Sequence, residues 1–154
     1  WVQMISLKRK QGGFTIIELL IVIVVIGILA TLVITTFSGI QRNARNRTRE
    51  ADVNALHSQV EFYYGQNGKY PTLANMNDSS WRSSNLKGLD SGALTDPQDS
   101  SSGALVASPQ AGAYAYAVLA DDDTACDNSS KDCAKYTLTA TYEGGGTFVK
   151  NSLN

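Results

Sequence analysis

Residues 14–34 form an apolar run broken by a single charge, Glu18. A helix needs about 20 such residues to cross a hydrocarbon core ~30 Å thick, and this run has that length. Lys8, Arg9 and Lys10 stand before it, followed by Gly12 and Gly13. An ordinary secretory signal peptide would close its apolar region with small residues in an A-x-A-like pattern. Here the glycines precede the run and no such site follows it. A plain uncleaved anchor would have no use for Glu18, because a carboxylate inside a spanning helix costs about 2.5–3.5 kcal/mol. The glutamate points to a task beyond anchoring.

From residue 35 the pattern changes. Phe37, Ile40 and Ala44, then Val53, Leu56, Val60 and Tyr63, recur at helical spacing, and no proline interrupts residues 12–69. The spacing predicts one continuous helix over residues 15–64, its second half amphipathic. A helix of this length suits a membrane or filament element better than an ordinary globular core. Gly65, Gly68 and Pro71 are expected to end it. Gly27 and Gly39 each weaken it locally by about 1 kcal/mol relative to alanine, so at most a limited break near Gly27 is expected.

Residues 72–112 are rich in Ser, Asp, Asn and Gly and read as a connecting loop that includes a short helical turn. Ser100-Ser101-Ser102-Gly103 within it is expected to be mobile. Three strands follow. Tyr114 to Leu119 alternates large and small side chains. Tyr136, Leu138, Ala140 and Tyr142 alternate with Thr137, Thr139 and Thr141. Gly144-Gly145-Gly146 turns the chain into a third strand over residues 147–150. Such a sheet needs a cover on its apolar face, and the amphipathic half of the helix is the one long element able to supply it. The fold class is α+β, with one long N-terminal helix packed on a small C-terminal antiparallel sheet.

The basic leader, Gly13, Phe14 and a glutamate at Glu18 in an apolar helix together resemble the N-terminus of type IV prepilins and of type II secretion pseudopilins. Phe62-Tyr63-Tyr64-Gly65-Gln66-Asn67-Gly68-Lys69-Tyr70-Pro71-Thr72 is similar to the end of the long helix in the same proteins. The resemblance implies a pilin-like fold, cleavage by a membrane peptidase after Gly13, and N-methylation of the new terminus at Phe14. It implies an assembly role for Glu18, which would meet the Phe14 amine of its own chain or of a neighbouring subunit and so fix register. The implied organisation is a cleaved leader at residues 1–13, with Met4 a candidate start, a transmembrane half-helix at 14–34, and a periplasmic or extracellular head at 35–154 that includes the amphipathic half of the helix. The implied partners are copies of the chain, a prepilin peptidase, an assembly ATPase, an inner-membrane platform protein, and membrane lipid before assembly. The implied location is the bacterial inner membrane as a single-pass protein, then a surface filament. The leading expectation is a structural subunit of a type IV pilus-like filament serving adhesion, motility or DNA uptake. A pseudopilin of type II secretion and a minor pilin or adhesin module are the alternatives.

The remaining features bound these readings. There are 13 Lys+Arg against 14 Asp+Glu, and loss of Lys8, Arg9 and Lys10 makes the balance more acidic, so nucleic acid is not an expected partner. No G-x-S-x-G, H-E-x-x-H or P-loop pattern is present, and no enzyme activity is expected. His57, the single histidine, reads as a surface or groove residue. Cys126 and Cys133 read as a disulfide if the head lies outside the cytoplasm, with two free thiols as the alternative. No cofactor is required. Asp121, Asp122, Asp123 and Asp127 are candidate calcium ligands, since the major pseudopilins bind calcium in a C-terminal loop, but their spacing is not that of an EF-hand and a solvated acidic turn is the plainer reading. Arg42, Arg45 and Arg49 fall on one helical stripe. They are expected to face lipid headgroups before assembly and acidic groups of a neighbouring subunit afterwards, or simply water.

Overall fold

The computed structural model describes residues 13–98 and 103–154. The basic leader with Lys8, Arg9, Lys10 and Gly12, the candidate start at Met4, and Ser100, Ser101 and Ser102 lie outside the described residues. Helix α1 (Ile16–Asn67) is followed by α2 (Leu73–Asn77), α3 (Ser79–Asn85), a 3-10 turn (Ser91–Leu94) and strands β1 (Ala115–Leu119), β2 (Lys135–Thr141) and β3 (Thr147–Asn151). The chain divides into two compact units, Trp1–Ile40 and Gln41–Asn154, and α1 contributes to both.

In the first unit, residues 13–38 are all exposed, and the helix is long and apolar enough to cross a membrane. Its few hydroxyls are satisfied within the helix. Thr31 Oγ1 donates to the Gly27 carbonyl at 2.9 Å, Thr36 Oγ1 to Leu32 O at 3.0 Å, and Ser38 Oγ to Thr35 O at 2.9 Å. A segment surrounded by lipid must meet its polar groups internally in this way. The helix continues unbroken through Gly27 and Gly39.

In the second unit, α1 buries Arg49, Val53, Leu56 and Val60 along one face. It meets a core that includes Tyr114, Tyr116, Tyr136, Leu138 and Ala140. Each fully buried leucine or valine contributes about 1.5–3 kcal/mol. The sheet order is β1-β2-β3, antiparallel throughout. Tyr116 pairs with Leu138 and Ala140 with Phe148, so these side chains share a face, as the period of two predicts. Gly144, Gly145 and Gly146 have φ of 92°, 103° and 92°, a left-handed run that a side chain would strain.

Tyrosine hydroxyls join this sheet to the helix. Tyr142 donates to Glu50 at 2.7 Å, Tyr114 to Asp52 at 2.6 Å, and Tyr136 to Glu61 at 2.8 Å. Each ring lies in or beside the core while its hydroxyl reaches a carboxylate at the flank of α1, which suits an amphipathic aromatic. Burial and the Asp52 carboxylate both push the Tyr114 phenol well above its ordinary range, so it stays a donor.

Two expectations are corrected. Gly65 does not end the helix. α1 runs past it to Asn67 and stops before Gly68, whose φ is +69°. The stretch after Thr72 is more ordered than a loop. Thr72 and Asn75 form a reciprocal capping box that starts α2, and the Asp78 carboxylate accepts the Ser80 and Trp81 amides to start α3.

Candidate functional site

The residues expected to serve processing and assembly, Gly13, Phe14 and Glu18, lie at the start of α1. Gly13 is exposed and nothing lies within 4 Å of the space a side chain would occupy there. Phe14 is 81% exposed. The bond between them is therefore accessible from solvent among the described residues. Glu18 Oε2 accepts from the Thr15 amide and from Thr15 Oγ1, each at 2.7 Å, while the Glu18 amide donates to Thr15 Oγ1 at 3.3 Å. This is a capping box, in which two backbone donors freed at the helix start are met reciprocally. The T-x-x-E spacing before an apolar run is the sequence signal for this cap at Thr15. The box holds the carboxylate over the start of the helix, one residue from Phe14.

An ionic junction lies at the start of the second unit. Arg49 is 1% exposed. Its Nε and Nη2 donate to the two Asp96 oxygens at 2.6 and 2.8 Å, and its Nη1 donates to Glu143 Oε1 at 2.9 Å and Asn46 Oδ1 at 2.7 Å. Arg45 makes a fork to the Glu143 carboxylate, with both bonds at 2.6 Å. Planar guanidinium suits this bidentate pairing. The Arg45 hydrogen bond, reinforced by Arg49, holds the Glu143 carboxyl down to about 2 against a smaller upward push from burial. The expectation that Arg45 and Arg49 face lipid or a neighbouring subunit is therefore corrected: both are spent within their own chain. Asp96 and Glu143 lie 47 and 94 residues from Arg49, so no local pattern could have revealed them.

The third place is the acidic loop after β1. Cys126 and Cys133 are joined by a disulfide with their Cα atoms 5.2 Å apart. Asp127 accepts the amides of Ser129, Ser130 and Lys131 at 2.8, 2.7 and 3.2 Å, and these bonds hold its carboxyl well below the usual range. Asp122 pairs with Lys131 Nζ at 2.6 Å and is held down to about 2, chiefly by that bond and by Thr124. Asp123 pairs with Lys135 at 2.9 Å. Among the described residues no group of three or more His, Cys, Asp or Glu is placed to hold a metal. Asp122, Asp123 and Asp127 each meet different donor groups rather than one another. His57 is half-buried, with Nδ1 2.7 Å from the Tyr136 hydroxyl.

The family model for the prokaryotic N-terminal methylation motif matches residues 8–34. Among curated proteins, the type II secretion system core protein G of Dickeya chrysanthemi is 39% identical over 66 residues, covering 43% of each chain. That of Aeromonas hydrophila is 40% identical over 65 residues, 42% of this chain and 46% of the relative. That of Vibrio cholerae is 38% identical over 64 residues, 42% and 44%. The chain thus matches under half the length of these relatives. No solved structure matches it significantly. The relatives favour the pseudopilin alternative over the pilus subunit expected first. The methylation motif, these relatives over under half their length, and one long helix packed on a three-stranded sheet make the chain similar to type IV pilins and pseudopilins.

Proposed function

We propose that this chain is a pseudopilin-type subunit of a secretion filament. It would wait in the inner membrane through the apolar part of α1, be cut between Gly13 and Phe14, and polymerise with copies of itself. The observation that carries this reading is the similarity to type II secretion system core protein G at 38–40% identity in several bacteria. A prepilin peptidase, an N-methylating activity at Phe14, an assembly ATPase and a platform protein are the partners this reading requires. Nothing in the chain's chemistry calls for a cofactor or for catalysis by its own residues.

Assembly in this reading transfers the exposed apolar helix from lipid to a bundle of identical helices. The association is heterologous and non-closing, which generates a fibre. Cleavage would leave a charged amine on Phe14, and a secondary amine keeps that charge after methylation. In the apolar bundle an unpaired carboxylate at Glu18 would cost several kcal/mol or take up a proton. Pairing with the amine of an incoming subunit satisfies both charges at one register and neither at a shifted one, as buried polar groups do in coiled coils.

Deleting the gene in the organism that encodes it separates the two filament readings. Loss of specific proteins from the culture medium, with surface pili intact, is the expected outcome. Loss of sheared surface filaments composed mainly of this chain, with secretion unchanged, would return the assignment to a pilus subunit.

A further inference from the structure

A groove opens on the head between the last turns of α1 and helix α3. It has a volume of about 560 Å3 and its lining includes Gln59, Phe62, Gln66, Asn67, Ser84 and Asn85. That volume lies within the range of small-molecule sites, about 300–1,000 Å3. Phe62 is 58% exposed and stands off the buried stripe of Val53, Leu56 and Val60, so folding does not account for its ring. The neighbouring Tyr63, also part of the lining, packs on Trp81 with ring centroids 5.1 Å apart, which fixes one wall of the groove.

The polar lining is made of neutral groups. Asn67 Nδ2 donates to the Tyr63 carbonyl and Asn85 Nδ2 to the Trp81 carbonyl, each at 2.9 Å. Both carboxamides are anchored through nitrogen, which leaves their oxygens as acceptors. Among the described residues the side chains of Gln59 and Gln66 make no hydrogen bond within the protein. No carboxylate lines the groove, and Lys87 is the one charge there. A purely apolar ligand would strand these carboxamides without partners, at a cost of about 1–3 kcal/mol each. A strongly charged ligand would find a single counter-charge.

We propose that this groove binds a neutral oligosaccharide. A carboxamide presents a donor and an acceptor side by side, which matches adjacent hydroxyls on a sugar ring. The exposed phenyl face of Phe62 matches the C–H face of the same ring. Phe62 stacks on the sugar, and Gln59, Gln66, Asn67 and Asn85 take its hydroxyls. The site is independent of the filament reading, since it uses a surface of the head alone.

Saturation-transfer difference NMR tests it on the full chain, in a detergent without a sugar headgroup, with chitotriose, cellotriose and maltotriose as probes. Chitotriose stands for N-acetylated cell-wall glycan and the other two for plain glucans, so the responding probe identifies the source. The expected result is saturation on the ring protons of one of them with a Kd of about 1 mM or tighter. Phe62→Ala should weaken binding about tenfold and Gln66→Ala should weaken it too. Both side chains are exposed, so the melting of the head should not move. Absence of transfer to all three sugars, or transfer unchanged in Phe62→Ala, overturns the proposal. Filament assembly blocked by Phe62→Ala, with no sugar bound by wild type, would also overturn it and make the groove a subunit contact.

Discussion

Arg49 is the residue on which the head's electrostatics turn. It is buried, charged and held by two carboxylates from distant parts of the chain. Removing one partner of a buried pair leaves an uncompensated charge, which costs about 3–5 kcal/mol. Asp96→Asn leaves Arg49 paired with Glu143 alone, so it should lower head stability by less than that, about 1–3 kcal/mol, in denaturant unfolding of the full chain. Arg47→Ala, whose side chain is 81% exposed, should change it by less than about 1 kcal/mol. The same junction sets an acid limit. Glu143 is held at about 2, below its ordinary 4.5, so its contribution is complete above about 4.5 and is lost as pH falls toward 2. Asp52, which burial pushes upward, contributes in the opposite sense. An acid titration of the tyrosine near-UV signal should show loss of the head between those values in wild type, and a smaller dependence in Glu143→Gln.

In the proposed function Glu18 would set the register of assembly at the same scale. Glu18→Leu should enter the membrane at least as well as wild type and still be cut after Gly13, yet fail to assemble or lose methylation of Phe14. Glu18→Asp should be partly active. Normal filaments of Glu18→Leu at normal abundance, by electron microscopy, would show that register is set elsewhere.

Among the elements, the loop closed by Cys126 and Cys133 connects β1 to β2 and is tied to the end of α1. Tyr70 donates its amide to the Cys133 carbonyl at 2.8 Å, and Asn128 Nδ2 donates to the Tyr70 carbonyl at 2.7 Å. Closing so short a loop is worth about 2 kcal/mol on the chain-entropy account. The Cys126→Ser, Cys133→Ser double variant should lose about that much stability, and the non-reduced wild type should take up no alkylating reagent. Quantitative alkylation without a reductant would contradict the bond.

Elements with strong periodicity were legible in the sequence. Val53, Leu56 and Val60 announced the buried face of α1. The Thr and apolar alternation announced β2 within a residue at each end. Helix α3 was not legible, because its SSWRSSN sequence has weak helical propensity and no apolar stripe. It exists through the Asp78 cap and the packing of Trp81 on Tyr63. Thr72 and Asn75 carried a start signal for α2, hidden in a segment whose composition reads as loop. The Arg49 junction was illegible for a different reason: an ion pair between residues far apart in sequence leaves no local pattern, and the arginines looked like a solvated stripe.

At the scale of the whole molecule, the chain joins an apolar helix, exposed among the described residues, to a head whose buried Arg49 is paired within its own chain. Residues 14–34 are exposed throughout, and bare apolar surface of that extent needs lipid or copies of itself. In the proposed function a filament subunit drawn from a membrane pool would meet both needs, and cleavage at Gly13 would be the step that commits it. The most direct measurement is the mass of the N-terminal peptide of the protein isolated from membranes of cells that contain a prepilin peptidase. The account predicts a chain beginning at N-methylated Phe14. A mature protein that still carries Lys8 to Gly13 would contradict it.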